Sequence, residues 1–242
     1  MVIASKEGHT LKQFDEELAE LRKLVLEMGG LVEDQINQAV KALDDEDLDT
    51  AREVIARDHV VNGMDIKADE KSVRLLARRQ PVGSDLRMII SLSKTVTDLE
   101  RIGDEAEKIA RMAVHLYDSD SPISNTRMLR DVFTMGKLAS AMLHDSLDAL
   151  ARMDIEKAVR TAQGDEELDR EFRSSLRRLI TYMMEDPRTI THSIDILFII
   201  KALERIGDHS KNIAEYVIYL VKGRDVRHAS PDTLATDALK AD

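Results

Sequence analysis

The chain has 242 residues, of which 46 are acidic and 35 basic, so its formal net charge is −11. Aromatic residues make up only 3% of it, and there are 10 glycines, 4 prolines, no tryptophan and no cysteine. This composition excludes disulfides and thiolate metal sites, and it disfavours an all-β fold. The acidic balance argues against nucleic-acid binding. No apolar run approaches the roughly 20 residues of a membrane-spanning helix, and we expect a cytoplasmic protein.

Apolar residues recur every three or four positions over long stretches, the pattern of amphipathic helices. The first half shows it at about 14–43, 48–79 and 84–116, and the second half at 128–153, 155–184 and 189–221. A loop at 118–124 separates the halves. We therefore predict an all-α fold of two tandem antiparallel three-helix bundles. The predicted domains are residues 9–119 and 120–223, followed by a flexible polar tail at 224–242.

The two halves repeat one another. Residues of the first two helices recur 107 positions later, as when Met28-Gly29 becomes Met135-Gly136. In the third helix the offset becomes 104, and there Leu99-Glu100-Arg101-Ile102-Gly103-Asp104 recurs unchanged at 203–208. A repeated hexapeptide with a mid-helix glycine is not explained by heptad similarity alone. The sequence therefore indicates an internal duplication.

Each copy of the hexapeptide carries two carboxylates four residues apart, Glu100 and Asp104 in one and Glu204 and Asp208 in the other. This spacing places both on one helix face, where like charges repel. A glycine inside a helix also costs about 1 kcal/mol relative to alanine. Two locally unfavourable features that recur together indicate a functional or close-packing site.

The preceding helices supply facing oxygen ligands. Asp58 and Asn62 lie four apart on the second helix, and Asp165 and Asp169 on the fifth. In an antiparallel hairpin, residues at the same level have numbers with a constant sum. That sum is 162 for both pairings in the first half and 373 for both in the second. We therefore expect each set of four to meet at one level of its bundle.

Clustered carboxylates need a counter-ion to remain charged together, and oxygen-only ligands favour Mg, Mn, Ca or iron. The predicted metal ligands are Asp58, Asn62, Glu100, Asp104, Asp165, Asp169, Glu204 and Asp208. The alternative is that these are solvated carboxylates neutralised by Arg101 and Arg205. The duplication favours the metal site.

Other chemistry is not indicated. His209 follows Asp208, but its counterpart in the first half is Glu105, so a solvated or indirect role is expected for it. Neither a nucleophile elbow nor a Walker phosphate loop is present. We therefore expect no catalytic residues and no organic cofactor site.

At these motifs the sequence resembles the PhoU family, the accessory regulators of the phosphate-specific ABC transport system. The resemblance runs from about His9 to Gly223. It is carried in the first half by Ala77-Arg78-Arg79-Gln80-Pro81 and by residues 98–106, Asp-Leu-Glu-Arg-Ile-Gly-Asp-Glu-Ala. In the second half it is carried by residues 182–190, Tyr-Met-Met-Glu-Asp-Pro-Arg-Thr-Ile, and by 203–209.

The resemblance implies tandem three-helix bundles with a metal-binding Glu/Asp-x-x-x-Asp motif in each, at Glu100/Asp104 and Glu204/Asp208. The metals it implies are Fe, Mn, Mg or Zn. The first half departs from the second at Asn62, whose counterpart is Asp169, and an amide is a weaker ligand. We therefore expect the first site to bind metal less tightly.

The resemblance also implies a non-enzymatic adaptor that represses the phosphate-starvation response. Its partners would be the ATPase subunit of the phosphate ABC transporter and a phosphate sensor histidine kinase, with homodimers usual in the family. It would reach the membrane only through these partners. Two alternatives stay open at this point: a metal-dependent phosphoesterase-type hydrolase and a metal-storing helical bundle.

Overall fold

The computed structural model describes residues 4–117 and 126–226, with side chains from Lys12 onward. In these ranges the secondary structure is helical, and the predicted all-α fold is confirmed. The first bundle contains α1 (Ala4–Asp44), α2 (Leu48–Arg79) and α3 (Gly83–Tyr117). The second contains α4 (Arg130–Arg152), α5 (Ile155–Glu185) and α6 (Ile190–Lys222). Short 3₁₀ turns at Thr126–Leu129 and Pro187–Thr189 precede α4 and α6.

The interhelical turns are closed by residues suited to helix ends. The Asp47 carboxylate accepts hydrogen bonds from the backbone amides of Asp49 and Thr50, both at 3.1 Å. Asp154 does the same for Lys157 at 2.9 Å. Such caps pair backbone donors that have no partner inside the helix. Both turns therefore reverse the chain tightly and hold the hairpins antiparallel.

Two contacts report the register of the hairpins that carry the predicted sites. The Ser93 hydroxyl donates to Asp69 Oδ1 at 3.3 Å, and these numbers add to 162. Lys201 Nζ lies 5.3 Å from the centre of the Phe172 ring, and these numbers add to 373. Both sums equal those predicted from the carboxylates, so the predicted registers are confirmed.

The bundles pack side by side, α3 against α6 and α1 against α4. Ile102 and Ile206, within the repeated hexapeptides, are both completely buried. Apolar burial of this kind supplies most of the stability of an amphipathic helix. The central position of α3 and α6 means that the acidic motifs lie on the two helices that also join the bundles.

The α1–α4 contact is reciprocal. A side chain at Gly29 would lie 2.6 Å from Leu147 Cδ2, and one at Gly136 would lie 3.1 Å from Val40 Cγ1. Gly136 is Gly29 advanced by 107 residues, and Leu147 is Val40 advanced by the same number. Each α1 or α4 glycine thus receives the partner bundle's aliphatic side chain, as the two sides of a twofold interface do.

The end of α6 is set by Gly223, which has φ +68° and whose amide donates to the Tyr219 carbonyl. Val226, just beyond, is buried. Residues 227–242 of the predicted tail lie outside the described residues. Among the helices described, none is both long and apolar enough to cross a membrane.

Candidate functional site

The predicted site residues form two clusters, one in each hairpin. The first acidic cluster comprises Asp58 and Asn62 on α2 with Glu100 and Asp104 on α3. Asp58 is buried, Asn62 and Glu100 are half-buried, and Asp104 is exposed. The groups therefore form a gradient from the bundle interior to its surface.

The second acidic cluster comprises Asp165 and Asp169 on α5 with Glu204 and Asp208 on α6. Asp165 is buried, Asp169 and Glu204 are half-buried, and Asp208 is exposed. Each of these residues has the same degree of burial as its equivalent in the first acidic cluster. The structure thus places all eight predicted residues where the duplication implies.

The first acidic cluster disfavours negative charge. Burial, followed by repulsion from Glu107, raises the pKa of Asp58, although the Asn62 amide donates to its Oδ2 at 2.8 Å. Burial and then the neighbouring Asp58 and Glu107 raise the pKa of Asp104. For Glu100, burial is again the largest cause of a raised pKa. A bound cation would relieve this repulsion.

Two further acids, missed by the sequence prediction, belong beside this cluster. Asp65 repels Glu100, and burial raises the pKa of Asp65 itself. Glu107 repels both Asp58 and Asp104. Asp65 follows Asp58 by seven residues and Glu107 follows Asp104 by three. These spacings place Asp65 and Glu107 on the same helix faces as Asp58 and Asp104, and that is the sequence feature that indicates them.

The second acidic cluster carries cationic partners from its own helices. Lys211 Nζ donates to Asp165 Oδ2 at 2.7 Å. Lys201 pairs with Glu204 at 2.5 Å, and Arg173 pairs with Asp169 at 2.8 Å. These contacts offset part of the carboxylate charge.

Asp208 is the most strongly perturbed acid of the second cluster. Although it remains accessible to solvent, desolvation by the packed groups around it raises its pKa to about 6. Repulsion from Glu204 and Asp165 adds to the effect.

Charge therefore distinguishes the clusters at equivalent positions. Where the first half has Glu107, the second has Lys211. The first half's Thr97 likewise corresponds to Lys201. These lysines pair directly with two carboxylates of the second cluster, Asp165 and Glu204, whereas in the first half Arg111 pairs with Glu107, outside the four predicted residues.

The donor types fit a hard cation, but the side chains do not enclose one. Within residues 4–117 and 126–226, no three Asp, Glu or His side chains form a group that could hold a metal ion. An arrangement of one or two carboxylates completed by water is typical of Mg²⁺. The clusters therefore fit a largely hydrated cation better than a closed protein cage.

The mid-helix glycines of both motifs serve helix packing. A Cβ at Gly103 would lie 3.3 Å from Val61 Cγ1, and one at Gly207 would overlap Leu168 Cδ2. Val61 and Leu168 are equivalent residues of α2 and α5. The glycines thus let the paired helices approach closely at the level of the carboxylates.

The sequence predicted that His209 is either solvated or acts indirectly, and the prediction of a solvated side chain is wrong. His209 is buried at the junction of α3 and α6, and its Nδ1 lies 2.7 Å from Asp98 Oδ1. Asn212 donates to the same oxygen at 3.1 Å. The sequence could not indicate this, because the contact joins different bundles.

Arg205, which the alternative to a metal site assigned to neutralising its neighbouring acids, instead reaches the other bundle. Its Nη1 lies 2.8 Å from Oε1 of Glu105, a buried residue of α3. Lys108 pairs with the other Glu105 oxygen at 2.7 Å. Arg205 is therefore an interface residue in this structure.

The fold agrees with comparisons to known proteins. The family model "PhoU domain" matches residues 25–113 and again 132–217. A curated protein of Pseudomonas aeruginosa, "Phosphate-specific transport system accessory protein PhoU homolog", is 51% identical over 221 residues. That alignment covers 91% of this chain and 90% of the relative. The Escherichia coli K12 "Phosphate-specific transport system accessory protein PhoU" is 44% identical over 226 residues, covering 93% and 92%.

Solved structures give the same result. The crystal structure of PhoU from Pseudomonas aeruginosa matches with a TM-score of 0.84 at 50% identity, covering 87% of this chain and 100% of that one. The phosphate transport system regulatory protein PhoU from Streptococcus pneumoniae matches with a TM-score of 0.80 at 34% identity, covering 88% and 99%. The family model matches two successive segments, in agreement with the internal duplication. The chain belongs to the PhoU family.

Proposed function

We propose that this protein is a phosphate-transport accessory protein that acts as a non-enzymatic adaptor. In this role it couples the ATPase subunit of a phosphate ABC transporter to a phosphate sensor histidine kinase and represses the phosphate-starvation response. The observation that carries the proposal is the 51% identity to a phosphate-specific transport accessory protein over 90% of that relative's length. We place it in the cytoplasm and expect it to act as a homodimer.

Exposed apolar side chains support an adaptor role. Val73 and Ile90 lie at the same level of the first hairpin with 65% and 38% of their surface exposed. Their equivalents, Ile180 and Ile194, are 44% and 42% exposed. Exposed apolar side chains that recur at equivalent positions of both halves are available for contact with a protein partner.

Capture from lysate tests the adaptor role. We expect the tagged full-length protein to retain the transporter ATPase and the sensor kinase, and deletion of its gene to switch on starvation genes in phosphate-rich medium. Substituting Val73 and Ile90 with serine should weaken capture, whereas the exposed Val60→Ser should not. Failure to retain either partner, with or without phosphate and Mn²⁺, would contradict the proposal.

We further propose that the acidic clusters bind cations that adjust the adaptor surface. Raised pKa values at Asp58, Glu100, Asp104 and Asp208 support this, since a cation stabilises the ionised forms. The sequence expectation ranked the first cluster as weaker because of Asn62. The lysines of the second cluster favour the reverse order, with tighter binding at the first.

Mn²⁺ titration tests the clusters. We expect Glu100→Gln to lower Mn²⁺ affinity about tenfold, an effect near 1.4 kcal/mol, and Glu204→Gln to lower it less. Glu53→Gln, at an exposed position on α2 outside the cluster, is the matched control. Unchanged binding in both cluster variants would contradict cation binding. Turnover of phosphate esters by the Mn²⁺-loaded protein, lost in Glu204→Gln, would instead favour the hydrolase alternative.

A further inference from the structure

Gln35 is an unusual residue in the core of the first bundle. It lies on α1, in line with the apolar stripe, and its side chain is completely buried. Neither its amide oxygen nor its amide nitrogen has a hydrogen-bond partner among the described residues. Burying an amide without hydrogen-bond partners destabilises a fold, so core packing alone does not explain Gln35.

The Gln35 amide approaches the first acidic cluster from the core of the bundle. A Cβ built on Gly103 would lie 3.6 Å from Gln35 Oε1 and equally 3.6 Å from Asp58 Oδ1. Asp58 Oδ1 is itself buried and without a hydrogen-bond partner in the described part of the chain. Two buried oxygens on different helices therefore border the space that the glycine leaves.

With the amide oxygen toward this space, both atoms are acceptors and need a donor between them; with the amide turned by 180°, Nε2 itself can donate to Asp58 Oδ1. In the first orientation, a water molecule has two donors and satisfies both at once, and buried waters typically bridge such groups. The other carboxylate oxygen, Oδ2, points to the Asn62 side of the cluster, where it accepts that amide. A hydrogen bond to Oδ1 from the core side would fix the orientation of the Asp58 carboxylate and therefore the position of Oδ2.

The second half lacks this arrangement. The residue equivalent to Gln35 is Met142, whose Sδ lies 3.6 Å from the Cβ position of Gly207. The same space is filled there by Leu168. Asp165, equivalent to Asp58, is bonded to Lys211 instead. The two halves therefore differ at this place in the core. The first half has the buried Gln35 amide beside the carboxylate, and the second has the apolar Met142 and Leu168 side chains.

We propose that Gln35 is a positioning residue of the first acidic cluster: beside Gly103 its amide, bonded directly or through one enclosed water, orients the Asp58 carboxylate for a divalent cation bound at Oδ2. This inference rests on the proposed cation binding. It assigns to α1 a part in a site otherwise built from α2 and α3. Groups that orient a metal-binding carboxylate typically alter metal affinity 10–100-fold when removed.

The test is Mn²⁺ titration of the full-length protein, with free Mn²⁺ followed by electron paramagnetic resonance. Glu204→Gln is the parent, so that the first cluster dominates the signal. Gln35→Met installs the residue found in the second half, and we expect it to weaken Mn²⁺ binding about tenfold. Gln38→Met, one turn along α1 and bonded to Asp34 and Arg57 instead, is the control and should leave the affinity unchanged.

Stability and coupling separate positioning from packing. Gln35→Met removes a buried amide without protein partners, so the melting temperature of the metal-free protein should not fall. In an Asp58→Asn background the same change should cause no further loss of Mn²⁺ affinity, since the group that it orients is already altered.

The outcomes are distinguishable. If Glu100→Gln weakens Mn²⁺ binding and Gln35→Met does not, the inference is overturned and the proposed cation cluster stands. Equal losses from Gln35→Met with and without Asp58→Asn would also overturn it. If no variant of the cluster changes Mn²⁺ binding, the proposed cation role itself fails, and the role of Gln35 fails with it.

Discussion

At the scale of single residues, Asp208 shows how a position repeated in both halves can be unfavourable for charge. Its pKa is about 6 in the folded protein against an ordinary value of 3.8. The folded chain therefore holds this proton more tightly than the unfolded chain does. By linkage, the folded state is favoured below pH 3.8, and this advantage is lost as the pH rises through 6.

Asp208→Asn is therefore expected to stabilise the metal-free protein at pH 7.5 and to have little effect at pH 4. The amide cannot ionise, so it avoids repulsion from Glu204 and Asp165. Urea unfolding of both proteins across this pH range measures the difference. Asp15→Asn, on the exposed side of α1, should show no such pH-dependent gain. A gain of equal size at both pH values would contradict the explanation.

The placement of the eight acidic-cluster residues on facing helices was predictable from sequence, because duplication and helical spacing both act along the chain. Gln35 was not, because a single polar residue within an apolar stripe gives no indication of what it faces. Lys211 was equally hidden, since its long side chain crosses from α6 to Asp165 on α5. Contacts made by long side chains between helices depend on rotation and depth that periodicity does not specify.

At the scale of helices, a glycine's effect depends on the neighbouring helix. Gly207 faces Leu168 so closely that a methyl group would overlap it, whereas Gly63 on α2 has no such neighbour within 4 Å. Gly207→Ala should therefore destabilise the protein by about 1–3 kcal/mol, the usual cost of overpacking. Gly63→Ala should stabilise it by up to about 1 kcal/mol through helix propensity.

Chemical denaturation of the two variants gives this comparison directly. Because the substitution is the same, the difference in the free energy of unfolding isolates the helix contact. Gly207→Ala/Leu168→Ala should recover part of the strain at the cost of a smaller core side chain. A stabilising Gly207→Ala would show that α5 and α6 separate more easily than their packing implies.

Helix positions followed closely from sequence, since prolines and acidic caps mark the turns. The hairpin registers followed too, as the Asp69–Ser93 and Phe172–Lys201 contacts confirm. Two beginnings differ: α1 starts at Ala4, about ten residues before the predicted position, and Thr126–Leu129 forms a 3₁₀ turn before α4. The start of α1 was missed because residues 4–13 lack the apolar stripe that marks the rest of the helix. Elsewhere, local patterns specify helix ends to within a turn.

At the scale of the molecule, polar contacts at the bundle junction join the two halves. Asp98, only 3% exposed, accepts from Asn212 and pairs with His209 across the α3–α6 contact. Asp98→Ala should lower the free energy of unfolding by about 3 kcal/mol, because it leaves the buried His209 and the half-buried Asn212 without this partner. Urea unfolding followed by circular dichroism measures it.

Thr97→Ala, at the neighbouring exposed position, serves as the control for Asp98→Ala. If the junction contributes to the stability of both halves, both bundles should unfold at a lower urea concentration in Asp98→Ala. A loss confined to α1–α3 would show that the halves are energetically independent. The mutual arrangement of the halves could not be predicted from sequence, since each bundle pattern is satisfied by its own three helices.

The reciprocal glycine contacts of α1 and α4 have an evolutionary consequence. Gly29 receives Leu147 while Gly136 receives Val40, so one crossing is built twice from corresponding residues. Such a contact suits two identical half-length chains that met as a pair before their genes fused. After fusion, each half could change alone. The two halves now differ at other equivalent positions, with Met142, Lys201 and Lys211 in one and Gln35, Thr97 and Glu107 in the other, as expected when two copies of one gene diverge.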